Sequence, residues 1–267
     1  MNGTFLDKIL TVKRERIQRQ KIETDVEVLK DRATTVRQIS QSHRLKAALI
    51  RTDRTNIIAE IKRASPSKGV INDNINVAAV AKNYEKGGAS AISVLTEEDF
   101  FKGSLADLLA VRAAVDLPIL RKDFVVDEFQ IYESAAAGAD VILLIVAALT
   151  EAELNFFLRL ARDELGMDAI VEVHNLEDLE IAARIGADII GVNNRDLRSF
   201  EVSLDVSRGL IEHRPLKSLM IAESGIATRE EIGDLKLLGF DGFLIGETLM
   251  RSGDVVQELR RLTTQGS

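Results

Sequence analysis

The stretch IIAEIKRASPSKGV, residues 57–70, decides how the chain is read. It opens as an apolar run suited to a buried strand, but Glu60 and Lys62 interrupt it two residues apart. Side chains alternate along a strand, so Ile58, Glu60 and Lys62 point to one side. Two opposite charges on that face are costly to bury unless they are paired or put to chemical use. Beyond them, Ala64-Ser65-Pro66-Ser67-Lys68-Gly69 supplies hydroxyls, a lysine and a flexible glycine. A strand that ends in charges and runs into such a loop reads as the rim of an active site. An edge strand with a solvated face is the alternative.

From this stretch onward the pattern repeats. Short apolar runs follow at 56–62, 89–95, 118–121, 139–145, 169–173, 188–192, 219–222 and 242–245. Amphipathic stretches at 77–86, 105–115, 129–137, 151–165, 176–185, 204–213, 229–238 and 248–262 alternate with them. Ser104, Thr150, Asn175, Ser203 and Thr228 stand where helix caps belong. Gly88, Gly138, Gly186 and Gly239 sit between a helical stretch and the next strand, as left-handed C-caps do. Strands joined through helices run parallel. Eight such pairs predict a (β/α)8 TIM barrel rather than a doubly wound open sheet, whose G-x-G-x-x-G turn does not occur. Before the barrel, residues 1–47 read as an N-terminal helical extension packed on it, with Phe5, Ile9, Leu10 and Val12 at helical spacing; residues 48–267 form the barrel.

The chain has 267 residues, 46% of them hydrophobic, which is ample for one large core. A net charge of −7 argues against nucleic acid as a partner, and the acidic residues interleaved through the N-terminal segment argue against a basic arm. With no cysteine there is neither a disulfide framework nor thiolate chemistry. His43, His174 and His213 lack metal-ligand spacing, so no metal is expected. No signal-peptide pattern or membrane-length apolar run is present, and a cytoplasmic location is expected.

Barrel enzymes carry their chemistry at the C-terminal ends of the strands. There the sequence offers Glu60 and Lys62, then Arg121-Lys122-Asp123-Phe124, Glu172, Asn193-Asn194-Arg195-Asp196, Glu223-Ser224-Gly225 and Gly246-Glu247-Thr248. Lysines and carboxylates around one low-dielectric mouth can hold their pKa values apart and supply both an acid and a base. Lys62 and Lys122 are the candidate proton donors, with a Schiff-base role for either as the competing chemistry. Ser224-Gly225 and Gly246-Glu247 lie after strands seven and eight, where such barrels often bind phosphate. Phe100, Phe101 and Phe124 could form an aromatic wall. His174, next to the cap residue Asn175, reads as structural.

The segments IIAEIKRASPSKG, SVLTEEDFFKGS, PILRKDFVVDEFQI, AIVEVHN, IIGVNNRDL, IAESGI and GFLIGETLM, in this order, strongly resemble the indole-3-glycerol phosphate synthases of tryptophan biosynthesis. The resemblance runs from about Phe5 to Met250. It implies a barrel whose helical extension covers the mouth. The implied reaction turns 1-(2-carboxyphenylamino)-1-deoxyribulose 5-phosphate into indole-3-glycerol phosphate by ring closure, loss of CO2 and loss of water, with no cofactor. By the same resemblance Lys122 is the general acid and Glu172 the acid–base partner in dehydration. Glu60 and Lys62 assist, Lys62 near the phosphate and hydroxyls. Asn193 helps hold the anthranilate part and Arg195 meets its carboxylate. Glu223, Ser224 and Ser65 bind the substrate, and Gly225, Gly246 and Glu247 take the phosphate. Phe101, Phe124 and Leu143 line the aromatic pocket.

Glu247 departs from the small residue that many relatives carry there. No fused isomerase domain is expected. Another phosphate-binding barrel enzyme (a Schiff-base aldolase or phosphoribosylanthranilate isomerase) and a non-catalytic binding barrel are the competing readings.

Overall fold

Every expected apolar run forms a strand: β1 (Ile57–Ile61), β2 (Ala91–Leu95), β3 (Ile119–Lys122), β4 (Val141–Ile145), β5 (Asp168–Val173), β6 (Ile189–Asn193), β7 (Leu219–Glu223) and β8 (Gly242–Ile245). The computed structural model describes residues 4–65, 69–70 and 75–263, with Ser65 and Val70 described by their backbone alone. The eight strands are parallel and close into a barrel, each paired with its sequence neighbours and β1 with β8. Pro66, Ser67 and Lys68 of the rim loop lie outside the described residues, and Ala64–Ser65 pairs antiparallel with Gly69–Val70.

Strand alternation sorts the core into two layers. Ile58, Leu120, Leu143, Ile170, Ile221 and Leu244 belong to the cluster that fills the barrel interior. Ile57, Ala59, Ile142, Val171 and Ile190 pack instead in the layer beneath the helices. A strand buried on both faces is apolar throughout, which is why these runs lack a polar face. Among the described residues, the charged side chains that enter the interior do so near the strand ends, while β2 carries the small polar Ser93 at its middle. Glu60, Lys122, Glu172 and Glu223 each follow an interior apolar residue by two positions.

The connecting helices are α4 (Val77–Gly87), α5 (Leu105–Ala114), α6 (Glu128–Ala136), α7 (Glu151–Arg159), α8 (Leu176–Arg184), α9 (Asp205–Ile211), α10 (Arg229–Leu238), α11 (Glu247–Arg251) and α12 (Val255–Thr263). Ser104, Thr150, Asn175 and Thr228 cap their helices through side-chain oxygens, Thr150 and Thr228 in full capping boxes. The expected cap at Ser203 is corrected: the N-cap is Leu204, and the Ser203 hydroxyl accepts from Asp205 N in the turn before α9. The single helix expected over 248–262 is two. The chain turns extended at Ser252, whose hydroxyl accepts from Asp254 N, and Asp254 then accepts from Gln257 N to start α12. The stretch expected over 151–165 stays helical but widens to a π-turn at Leu160–Glu164. Gly88, Gly138, Gly186 and Gly239 all adopt the left-handed conformation expected of them.

The N-terminal segment forms α1 (Phe5–Glu23), α2 (Val26–Gln38) and α3 (Arg44–Leu49). Leu45 and Leu49 of α3 belong to the interior cluster, and Asp168 at the start of β5 accepts from Leu45 N and Lys46 N. Helix α3 therefore closes the N-terminal end of the barrel, and the expected boundary after residue 47 falls within it. Leu6 and Leu10 of α1 reach the interior cluster from the opposite end, over the mouth. Among the described residues no helix is long and apolar enough to cross a membrane.

Candidate active site

A cavity of about 660 Å³ opens at the C-terminal ends of the strands. Glu60, Lys62, Phe101, Lys122, Phe124, Leu143, Glu172, Asn193, Arg195, Glu223, Ser224, Gly225, Gly246 and Glu247 all line it. The side chain of Ser65, also expected there, lies outside the described residues.

Lys122 is the centre. Its ammonium donates to Glu223 Oε2 at 2.9 Å and to Glu172 Oε2 at 3.2 Å, and its side chain is 14% exposed. Burial alone would drive off its proton, but the carboxylates of Glu223, Glu172 and Glu60 outweigh that and raise its pKa. The two carboxylates it bridges differ. On Glu172, burial is overcome by Lys122 and then by His174 and Asn193, so its pKa falls. On Glu223, burial prevails over Lys122, and repulsion from Glu172 and Glu60 adds to it, pushing the carboxyl up to about 7. One lysine therefore sits between a firmly ionised carboxylate and one that takes a proton near neutrality.

The strands set this geometry. Asn193 lies opposite Glu223 in the β6–β7 register, and Gly191 lies opposite Glu172 across β5–β6. A Cβ on Gly191 would stand 2.1 Å from Glu223 Oε1, so only glycine lets that carboxylate sit against the strand. Gly246 plays the same part for Glu60, whose Oε1 would lie 2.6 Å from an added Cβ. Lys62, just past β1, donates to Glu60 Oε1 at 2.8 Å, as their shared strand face requires.

At the end of β7, Ser224 (φ 65°) and Gly225 (φ 78°) are both left-handed, and for Ser224 this conformation is strained. Asn194 holds them by donating to the carbonyls of Glu223 and Ser224. The carboxylate of Glu247 turns to Arg251, 3.2 Å away. The Phe101 and Phe124 rings lie 6.2 Å apart and tilted, forming an aromatic wall. Phe100 instead packs edge-on against Phe5 of α1, which also meets Phe200.

Sequence reasoning missed several residues. Phe5, Leu6 and Ile9 of α1 and Phe200 of the β6–α9 loop also line the cavity. No local signal identifies them, since their place depends on how α1 docks. His174, expected to be structural, stands 3.3 Å from Glu172 Oε1 and 3.7 Å from Asp178 Oδ2, next to the charged cluster. Its signal was available, because Glu172 and His174 are two residues apart, like Glu60 and Lys62. Among the described residues, Glu97, Glu98 and Asp99 bring carboxylate oxygens together. Lys13, Arg16 and backbone N–H groups engage them, so the group is a salt-bridged loop.

The family model for indole-3-glycerol phosphate synthase matches residues 6–262. The chain is 42% identical over 259 residues to the indole-3-glycerol phosphate synthase of Alkaliphilus metalliredigens (strain QYMF), covering 97% of each chain. It is 50% identical over 210 residues to that of Desulfosudis oleivorans (strain DSM 6200 / JCM 39069 / Hxd3), covering 79% of this chain and 80% of that one. Among solved structures it resembles 3-hexulose-6-phosphate synthase from Salmonella typhimurium with a TM-score of 0.61 and 15% identity. That likeness covers 78% of this chain and 96% of the other, and it speaks to the fold alone.

Proposed function

The chain belongs to the indole-3-glycerol phosphate synthase family, a carboxy-lyase family of tryptophan biosynthesis, and from that premise we propose how its residues divide the reaction. The substrate is 1-(2-carboxyphenylamino)-1-deoxyribulose 5-phosphate. Its aromatic carbon bearing the carboxylate attacks the ketone of the sugar chain. The ketone oxygen gains negative charge, and Lys122 answers it with a hydrogen bond and then a proton. A lysine so firmly protonated transfers its proton only as the alkoxide forms, which directs its effect to the transition state. CO2 then departs and leaves its electron pair to restore the aromatic ring. The new hydroxyl leaves as water while a proton is lost from the neighbouring carbon, closing the indole.

Glu172, held ionised, is the base for that proton loss. Lys62, paired with Glu60, assists departure of the hydroxyl. Glu223 shares Lys122 with Glu172 and holds the sugar chain with Ser224. Asn193 and Arg195 hold the anthranilate end against Phe101, Phe124 and Leu143. Backbone N–H groups at Gly225, Gly246 and Glu247 take the phosphate, and the pairing of Glu247 with Arg251 tempers the repulsion its carboxylate would exert on the anion. Ser65 remains a proposed substrate contact.

The observation that carries this reading is Lys122 between two carboxylates. It also weighs against the Schiff-base alternative, which needs a neutral amine. The test is to incubate the purified protein with the substrate and follow indole-glycerol phosphate absorbance, with Lys122→Ala in parallel. Turnover in the first and its loss in the second are expected. Full activity in Lys122→Ala, or borohydride trapping of a lysine adduct, overturns the assignment.

A further inference from the structure

His174 lies just beyond β5 with its side chain 14% exposed, and its ring is pinched between two acids. Nε2 stands 3.3 Å from Glu172 Oε1, and Nδ1 stands 3.7 Å from Asp178 Oδ2. Among the described residues neither ring nitrogen meets hydrogen-bond geometry, so what the two acids can offer the ring is attraction for a positive charge. Asp178 is itself held in place by accepting from His174 N at 2.9 Å. Glu172 thus has a nitrogen against each oxygen, Lys122 Nζ at Oε2 and His174 Nε2 at Oε1.

Counting charge around the mouth leads to the same residue. Glu60, Glu172 and Glu223 are buried, Glu60 pairs with Lys62, and Glu172 has to share Lys122 with Glu223. Buried charge without a counterpart is costly, and a protonated His174 supplies the counterpart. We propose that His174 is a positioning residue for the reaction, an imidazolium that fixes the Glu172 carboxylate from behind and keeps it ionised for its work on the substrate. Burial opposes this charge, but the contacts with Asp178 and Glu172 outweigh it and raise the ring's pKa to about 9.

A second cavity, about 180 Å³, opens beside His174. The charged groups facing it there are Arg195, Asp196 and Glu201, in addition to Glu172 on β5 and Asp178 on α8. Truncating His174, which lines this cavity, would open it on the side of Glu172, and free imidazole is the probe of the vacated space.

The inference rests on reading Glu172 as an acid–base group, and the experiment separates the two. Steady-state kinetics across pH are compared for the wild type, His174→Ala, His174→Gln and Glu172→Gln. In His174→Ala the expected loss of kcat is between about tenfold and a hundredfold, as for a misplaced catalytic group, with a much smaller change in KM. With its rear cation gone, Glu172 holds its proton to higher pH, so kcat falls off sooner on the acid side than it does in the wild type. Imidazole added to His174→Ala restores activity. His174→Gln, which keeps an N–H donor but no charge, stays impaired and gives the same readings should the alanine variant fail to fold. An acid limb unmoved in both variants, or full activity in His174→Gln, overturns the inference. Wild-type activity in Glu172→Gln removes the underlying reading, whereas an impaired Glu172→Gln beside an unimpaired His174→Gln removes only this inference.

Discussion

Lys13 on α1 and Asp123, the residue after Lys122, form an ion pair 2.8 Å long with side chains 2% and 0% exposed. The other oxygen of Asp123 accepts from Thr96 Oγ1 and from Arg121, while Lys13 also reaches Glu98. The helix over the mouth is thereby tied to the strand end that carries the central lysine. Removing one partner of a buried pair strands the other, at a typical cost of about 3–5 kcal/mol. Arg121 stays beside Asp123, which puts Lys13→Met at the lower end of that range. Because Phe5, Leu6 and Ile9 line the cavity from the same helix, KM is expected to rise as well. Thermal denaturation and substrate titration check this, and a lower melting temperature with unchanged KM would confine α1 to a structural role.

Glu172→Gln and Glu60→Gln are expected to lower turnover more than stability. The amide nearly preserves volume and can still accept from Lys122 or Lys62, but it cannot take up a proton. General acid–base groups are worth about 10²–10⁴ in rate, and Glu172→Gln should fall in that range, with Glu60→Gln showing the smaller loss in keeping with the assisting role proposed for it. Melting curves beside kcat decide the matter. A large drop in melting temperature with undiminished kcat would refute it.

Gly191 predicts a loss of activity from a residue with no functional group. An alanine there would bring its Cβ to 2.1 Å from Glu223 Oε1 and 2.8 Å from Ile170 Cγ2. Something must move, and the carboxylate, at the end of a longer side chain, gives way before the strand does. Glu223 then loses its line to Lys122. Overpacking of this kind costs about 1–3 kcal/mol, and displacing a catalytic group by about 1 Å can cost about 100-fold in rate. Gly191→Ala should therefore show both a moderate loss of stability and a larger loss of kcat. A variant with lowered stability but normal kcat would show that Glu223 has not been displaced.

The barrel was legible because both faces of each strand are buried, leaving short, uniform apolar runs between amphipathic helices. Cavity-lining residues such as Glu60 and Glu172 were legible because each follows an interior apolar residue by two positions, which turns its charge into the mouth. What escaped depends on tertiary placement. Phe5 and Phe200 join the cavity only once α1 has docked, and Gly191 reads as an ordinary strand glycine until Glu223 is set against it. The break between α11 and α12 was within reach, since Ser252-Gly253-Asp254 is turn chemistry inside a helical pattern. His174 follows Glu172 at the spacing that pairs Glu60 with Lys62, a signal masked by the helix cap at the adjacent Asn175.

The charge on His174 also makes a prediction for stability. Its pKa rises from 6.5 to about 9 in the folded protein. A group that binds its proton more tightly when folded contributes stability that is fully present below pH 6.5 and lost as pH climbs through about 9. At about 1.4 kcal/mol per pH unit, that contribution is about 3 kcal/mol at most. Glu223 acts in a lower window: a carboxyl raised from 4.5 to about 7 costs stability progressively across that interval and adds nothing further above it. Subtracting the His174→Gln denaturation curve from that of the wild type isolates the histidine. The difference in unfolding free energy is expected to favour the wild type near pH 6 and to shrink steadily toward pH 9.5. A difference that stays constant across that range would mean that folding leaves the ring's pKa unchanged, so that its acidic neighbours do not hold it as an imidazolium.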